Sequence, residues 1–237
     1  MSNKRAMGEV VENWVVPVAS CPDKIEGLSV VLERLDPDSH AADLFSAFSS
    51  DNSLWDYLFS GPFTSASAFH RWLRESAADA EMFYYAIRDL ASGTCTGMAA
   101  YLRIAPEAGS IEVGSICFGP ALQRTKAATE AMFLMMKWAF EAGYRRYEWK
   151  CNALNIPSRR AAQRLGFSYE GVFRQAYVVK GRNRDTAWFA MIDKEWPALR
   201  EAYQVWLAPA NFTAGGIQRE SLGDLTQLVR AASDPLL

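Results

Sequence analysis

An amide and a hydroxyl three residues apart, Asn155 and Ser158, stand in the stretch CNALNIPSRRAAQRLGFSYEG over residues 151–171. That spacing puts both on one side of a helix, where Asn155 can cap the first turn and still offer its amide to a ligand. A cap beside a surface hydroxyl is the plainer reading. In a second stretch, GPALQRTKAATEAMFLMMKWAFEAGY at 119–144, Arg124 and Lys126 sit where a helix begins. The helix dipole disfavours cations there by about 0.3 to 1 kcal/mol each. An anion held by the free N–H groups of the first turn would be their natural partner. Thr125 as an N-cap between two solvated charges is the alternative.

Other chemistries fit less well. GTCTG at 93–97 matches the spacing of a nucleophile elbow, which needs a strand before it and a helix after. The residues that follow, MAAYLRI, read as a strand, so a hairpin turn is expected instead. Two histidines, His40 and His70, both fall in early helical segments, so neither a metal cluster nor a Cys–His pair is expected. Cys21, Cys95, Cys117 and Cys151 form no C-x-x-C pair and read as free thiols, mostly buried. Trp138, Tyr144, Tyr147 and Trp149 read as packing between a helix and a strand, because no continuous basic patch accompanies them.

These residues need elements to position them. Residues 1–27 read as an irregular N-terminal arm, and LSVVLERL at 28–35 as a strand. Asp38 is placed as the cap of a helix running to about Phe48, and a second helix starts at Ser65. MFYYAIRD and TGMAAYLRI form a hairpin around LASG, and SIEVGSICFG at 110–119 is the next strand. The helix over the second stretch buries Ala128, Ala131, Met132, Met135, Met136 and Ala139 and stops at Gly143. RYEWKC is a strand, followed by a helix from Asn155 to about Leu165 that Gly166 ends. EGVFRQAYVV and TAWFAMI pair around KGRNRD. Trp196-Pro197 opens a helix to about Leu207, and a short helix falls within 221–232. This order describes a mixed α/β fold, a mostly antiparallel sheet covered by helices. One domain, 28–196, stands between the arm and a C-terminal helical extension over 197–237.

The 237 residues are half hydrophobic, with a net charge of -2 and a pI near 5.8. A sizeable core is within reach, and nucleic acid is not the expected partner. No stretch of about 18 apolar residues marks a membrane span, and a cytoplasmic location is expected. Dimerisation is left open.

Gln123-Arg124-Thr125-Lys126-Ala127-Ala128, followed by the ATEA of 128–131, resembles the acetyl-CoA signature Q/R-x-x-G-x-G/A of the GNAT (general N-acetyltransferase) superfamily. Asn155, Ser158, Leu165-Gly166-Phe167 and Glu170-Gly171 resemble that family's second motif. The likeness covers about residues 28–195 and leans toward the ribosomal-protein alanine acetyltransferases. It implies an N-acetyltransferase using acetyl-CoA, with Gln123, Arg124, Thr125, Lys126, Ala127, Ala128 and Thr129 around the coenzyme's diphosphate. Cys117 and Phe118 would lie along its pantetheine, and Asn155 and Ser158 near the thiol. Lys126 departs from the motif by replacing its glycine, and Ala162 stands where many members carry a tyrosine acid.

Ser158 therefore becomes the candidate acid. Glu112 and Tyr177 are the candidate bases, with a solvent-facing strand residue the plainer reading of Glu112. The resemblance implies a backbone N–H of the Ser115–Phe118 strand polarising the thioester carbonyl. The acceptor would be a primary amine, a peptide N-terminus being favoured by the branch. Its pocket is expected between about Leu54–Trp72 and Arg174–Arg184; Asp51, Asp56 and Asp185 could attract an ammonium, with solvated surface charges the plainer reading. A non-catalytic acyl-CoA-binding module is the alternative, motivated by Lys126 and Ala162.

Overall fold

Period-two alternation decides which residues leave the sheet on which side. Along Ser110–Phe118, Ile111 and Val113 enter one hydrophobic core, and Glu112, itself buried, lies between them. Along Arg146–Asn152, Tyr147, Trp149 and Cys151 join the same core, and Glu148 and Lys150 alternate with them. The chain was followed in a computed structural model that describes residues 5–237.

The strands are β1 (Lys24–Glu26), β2 (Val30–Arg34), β3 (Met82–Asp89), β4 (Cys95–Ala105), β5 (Ser110–Phe118), β6 (Arg146–Asn152), β7 (Ser168–Val179) and β8 (Arg182–Ile192). They form one sheet of eight strands in the order β1-β2-β3-β4-β5-β6-β8-β7. Every neighbouring pair is antiparallel except β5 and β6, which run parallel from Ser110↔Arg146 to Val113↔Trp149. The mixed, mostly antiparallel sheet expected from the sequence is the observed one. The arm is less irregular than expected, because Lys24–Glu26 pairs with Val31–Glu33 as an edge strand.

The helices are α1 (Pro37–Phe48), α2 (Ala66–Ala77), α3 (Lys126–Glu141), α4 (Ile156–Arg164), α5 (Trp196–Leu207) and α6 (Leu222–Gln227). One core joins the sheet to α3, α4, α5 and α6, while a second packs α1 and α2 against Tyr84, Ala86, Met98 and Ala100 on the opposite face. The cap of α1 is Asp36, not Asp38: Asp36 accepts the Asp38 N–H at 3.1 Å, and Pro37 occupies the first helical position. Proline is favoured there because its missing N–H would lack a helical acceptor anyway. Asp38 instead bonds His70 on α2 at 2.8 Å.

Glu130 of α3 is buried and accepts the N–H groups of Leu28 and Ser29, each at 2.7 Å, which fixes the start of β2 over the helix. The aromatic residues pack as expected, with Tyr101 on Trp138 at 5.0 Å and Tyr147 on Phe167 at 5.7 Å. Stacked pairs Phe133–Tyr203 and Phe140–Trp196 seat α5 on α3. Buried Arg159 of α4 donates to both carboxylate oxygens of Asp234, at 2.6 and 2.5 Å, so the last residues of the chain hold the helix that carries Ser158. No helix among the described residues is long and apolar enough to cross a membrane.

Candidate active site

β5 and β6 pair only as far as Val113 and Trp149, although β5 continues to Phe118 and β6 to Asn152. Past that point the second half of β5 has no partner on its β6 side. Ser115 adopts φ +49, and Ser115 and Ile116 together oppose the single residue Ala99. Such a bulge bends the strand and re-aims its backbone groups, a device common beside active sites. A cavity of about 780 Å³ opens here, lined by Glu112, Gly114–Cys117, Trp149, Asn155, Ser158 and Tyr177 among others.

After β5 the chain turns through Gln123–Thr125 into α3. The Gln123 side chain donates to the Phe118 carbonyl at 2.9 Å. Arg124 takes φ +60, and Thr125 caps α3 by accepting the Ala128 N–H at 3.0 Å while donating to the Leu122 carbonyl at 2.7 Å. The N–H groups of Arg124, Lys126 and Ala127 find no acceptor among the described residues. They form an anion-seeking helix start. The left-handed backbone falls on Arg124 rather than Lys126, which is the first helical residue and needs no glycine conformation. The Lys126 ammonium lies 4.8 Å over the Phe212 ring of the C-terminal extension. Thr129 is buried, donating to the Thr125 carbonyl and accepting from Arg164, each at 3.3 Å.

On α4, Asn155 caps through the Ser158 N–H at 3.1 Å, as expected. The Ser158 hydroxyl accepts the Trp149 indole N–H at 3.1 Å. Burial pushes the neighbouring Cys151 thiol up to about 11 and the Cys117 thiol up to about 12, so both stay neutral around the cavity. Ala162 is fully buried in the core, so its position does not face the cavity.

Glu112 departs from the solvent-facing reading. It is 3% exposed, and its carboxylate meets Arg103 and Lys150, each at 2.7 Å. Arg103 reaches it from a β4 irregularity where φ is +46. Burial lifts the Glu112 carboxyl above its ordinary value, opposed by the two cations. Tyr177 is 41% exposed, packs on Phe59 at 5.6 Å, and accepts from Arg103 at 3.3 Å. The cavity thus unites Glu112, Cys117, Asn155, Ser158 and Tyr177. Phe118, the last residue of β5, and Gln123–Thr129 after it lie outside its lining.

The two segments expected to wall an acceptor pocket both line the cavity, through Trp55, Tyr57–Ser60 and Trp72 on one side and Phe173, Ala176 and Tyr177 on the other. Lys180 at the β7–β8 turn donates to the Trp55 carbonyl at 2.6 Å and ties the two walls together. Asp51, Asp56 and Asp185 stand outside the lining, in keeping with the plainer reading of them as surface charges. Asp51 caps a short helical turn through Ser53, and Asp185 holds the Gln175 N–H in a β7 bulge. Glu75 and Asp79 of the α2 end take their place in the wall.

Sequence reading missed the cationic side of the cavity: Arg103, Lys150 and Arg184. It also missed Tyr84, which donates to the Ser115 hydroxyl at 3.3 Å beneath the bulge and whose phenol burial pushes up. Lys150 alternates with Trp149 and Cys151 along β6, and that phase was the available signal for it; Arg184 stands in the polar run Arg182–Thr186 of β8, which carries none. Away from the cavity, Glu33, His40 and Cys95 come within 4.8 Å of one another. Their polar groups are occupied: Glu33 takes Arg88 and His40, and the other His40 ring nitrogen accepts the Asp36 N–H.

The family model for the acetyltransferase (GNAT) domain matches residues 29–168. A GCN5-related N-acetyltransferase from Brucella melitensis is 45% identical, with a TM-score of 0.89 over 92% of this chain and 100% of its own. A probable GNAT-family acetyltransferase from Chromobacterium violaceum is 41% identical, with a TM-score of 0.77 over 84% and 100%. The microcin C7 self-immunity acetyltransferase MccE, seen in complex with acetyl-CoA and AMP, shares the fold at 18% identity, with a TM-score of 0.62 over 70% and 93%. A search of curated proteins finds no match. With the anion-seeking start of α3, the splayed and bulged β5, and a family model that spans more than half of the sequence, the chain belongs to the GNAT family of acetyltransferases.

Proposed function

We propose that the protein moves an acetyl group from acetyl-CoA to a primary amine by direct attack, with no covalent enzyme intermediate. The observation that carries this reading is the bulged half of β5 that lacks a partner on its β6 side, which offers backbone hydrogen bonds to an extended ligand at the wall of the cavity. The free N–H groups at the start of α3 receive the diphosphate, beside Arg124. Asn155 orients the pantetheine arm.

A β5 N–H polarises the thioester carbonyl as negative charge develops on its oxygen. The amine nitrogen bonds to the carbonyl carbon and the C–S bond breaks. Glu112 takes the amine's proton, directly or through water, and Ser158 gives one to the departing thiolate. Glu112 is preferred to Tyr177 because a carboxyl raised by burial approaches the working pH from below.

Release of free CoA thiol from acetyl-CoA, measured across a panel of primary amines, tests the proposal. Amine-dependent release is the expected result. Acetyl-CoA binding with no release on any amine would favour the non-catalytic module instead.

A further inference from the structure

Of the cavity's cations, two are compensated and one is not. Arg103, Lys150 and Arg146 alternate with Glu112, Glu148 and Glu170 in a chain of contacts between 2.5 and 2.7 Å. Three positive and three negative charges close that network. Arg184 stands outside it. It is 7% exposed, and its guanidinium makes no hydrogen bond or ion pair among the described residues; its Nε is fully enclosed and unpartnered. It lies 4.5 Å from the Phe59 ring and 5.8 Å from the Tyr177 ring, and it feels the charge of Glu112 without bonding to it.

A buried, uncompensated guanidinium is costly, and natural structures normally pair it. Arginine cannot escape by losing its proton. Two more enclosed polar atoms without partners, Thr186 Oγ1 and Trp188 Nε1, follow at every second residue of β8. They share Arg184's face of the strand, and all three residues line the cavity. Three donors on one strand face, with no protein acceptor, describe a recess for an oxyanion. The planar fork of arginine matches a carboxylate in particular.

We infer that Arg184, assisted by Thr186 and Trp188, binds a carboxylate carried by the acceptor, so that the amine acetylated belongs to an amino acid or to a peptide with an acidic first residue. This rests on the reading of the cavity as the acceptor site of acetyl transfer. The acceptor assignment follows from the walls: Phe59 and Tyr177, which pack on each other and against Arg184, belong to the two segments that close over the cavity, joined by the Lys180–Trp55 bond. The phosphate-seeking start of α3 lies outside that lining.

Calorimetry on the CoA-saturated protein tests the inference without needing turnover. The probes are N-acetylglutamate, its diamide, and an N-acetylated tripeptide amide beginning with glutamate. At least one of the two carboxylate probes should bind about 10- to 100-fold more tightly than the diamide, and which one does identifies the source as free amino acid or peptide. Arg184→Gln should bring that ratio close to one, and Arg184→Lys should restore part of it. Thr186→Val should lower the ratio several-fold and serves if the arginine variants do not fold.

Equal binding of acid and amide by the unmodified protein, no binding of either acid, or an equal loss of both in Arg184→Gln would overturn the inference. So would a preference that appears only when the carboxylate is on the acyl donor, as succinyl-CoA binding more tightly than acetyl-CoA. Failure of acetyl transfer on every amine would instead refute the proposed function, since these ratios are read from binding alone.

Discussion

Two arginines in this protein are almost equally buried and have opposite surroundings. Arg159, 1% exposed, donates to both oxygens of Asp234 and to the Ala153 carbonyl at 2.8 Å. Arg184, 7% exposed, has no acceptor among the described residues. The first closes a charge within the fold and stitches the end of the chain to α4. The second keeps a charge open toward a cavity, at an energetic cost that folding alone does not explain. Burial by itself therefore does not separate a structural charge from a binding one; the presence of a partner does. The C-terminal seat should govern stability, and the cavity wall should govern rate and selectivity.

Substitutions can break that division. The largest effect is expected in the cavity, where Glu112→Gln should lower kcat/KM by about 10²- to 10⁴-fold, the usual worth of an assisted proton transfer. The sign of the pH effect follows from the raised carboxyl: the base works when ionised, so activity is present above its folded pKa and lost as pH falls through it. The acid limb of the pH–rate profile should stand above the ordinary carboxylate range and disappear in Glu112→Gln. In the C-terminal seat, Asp234→Ala leaves Arg159 buried without its counterion and should cost about 3 to 5 kcal/mol in urea unfolding.

Ser158→Ala should lower kcat on the order of 10²-fold with little change in acetyl-CoA affinity. An unchanged kcat across pH would remove Ser158 as the acid. The smallest effect separates the two arginines most sharply. Arg184→Met takes away an uncompensated charge and should leave unfolding stability unchanged or raise it by about 1 kcal/mol. A loss as large as that of Asp234→Ala would show that Arg184 is structural after all.

The proposed donor half of the site was readable because it is local in sequence. Gln123 through Ala128 form one turn and the start of one helix, and Asn155 and Ser158 are one helical turn apart, so caps and spacing carry the information. The proposed acceptor half is assembled across strands. Arg103, Glu112, Lys150 and Arg184 come from β4, β5, β6 and β8, and their meeting depends on sheet order and on two bulges, which no local pattern encodes. Glu112 is instructive here. Alternation put it correctly on the face opposite Ile111 and Val113, but that face is usually solvent in an antiparallel sheet. Here the late hairpin and the 55–60 segment roof it over. The Asp36 cap was misread by two residues because Asp38 also precedes an apolar periodic run, and Pro37 was the cue that settled it.

The central claim is that the start of α3 grips a diphosphate and so aims a thioester along the free half of β5. Calorimetry comparing acetyl-CoA with acetyl-pantetheine, which carries the same thioester and arm without the diphosphate nucleotide, tests it most directly. Saturable binding of acetyl-CoA, with acetyl-pantetheine weaker by at least about 100-fold as lost charge-assisted hydrogen bonds require, is the predicted result. Equal affinity for the two, or no heat from acetyl-CoA on folded protein, would contradict it.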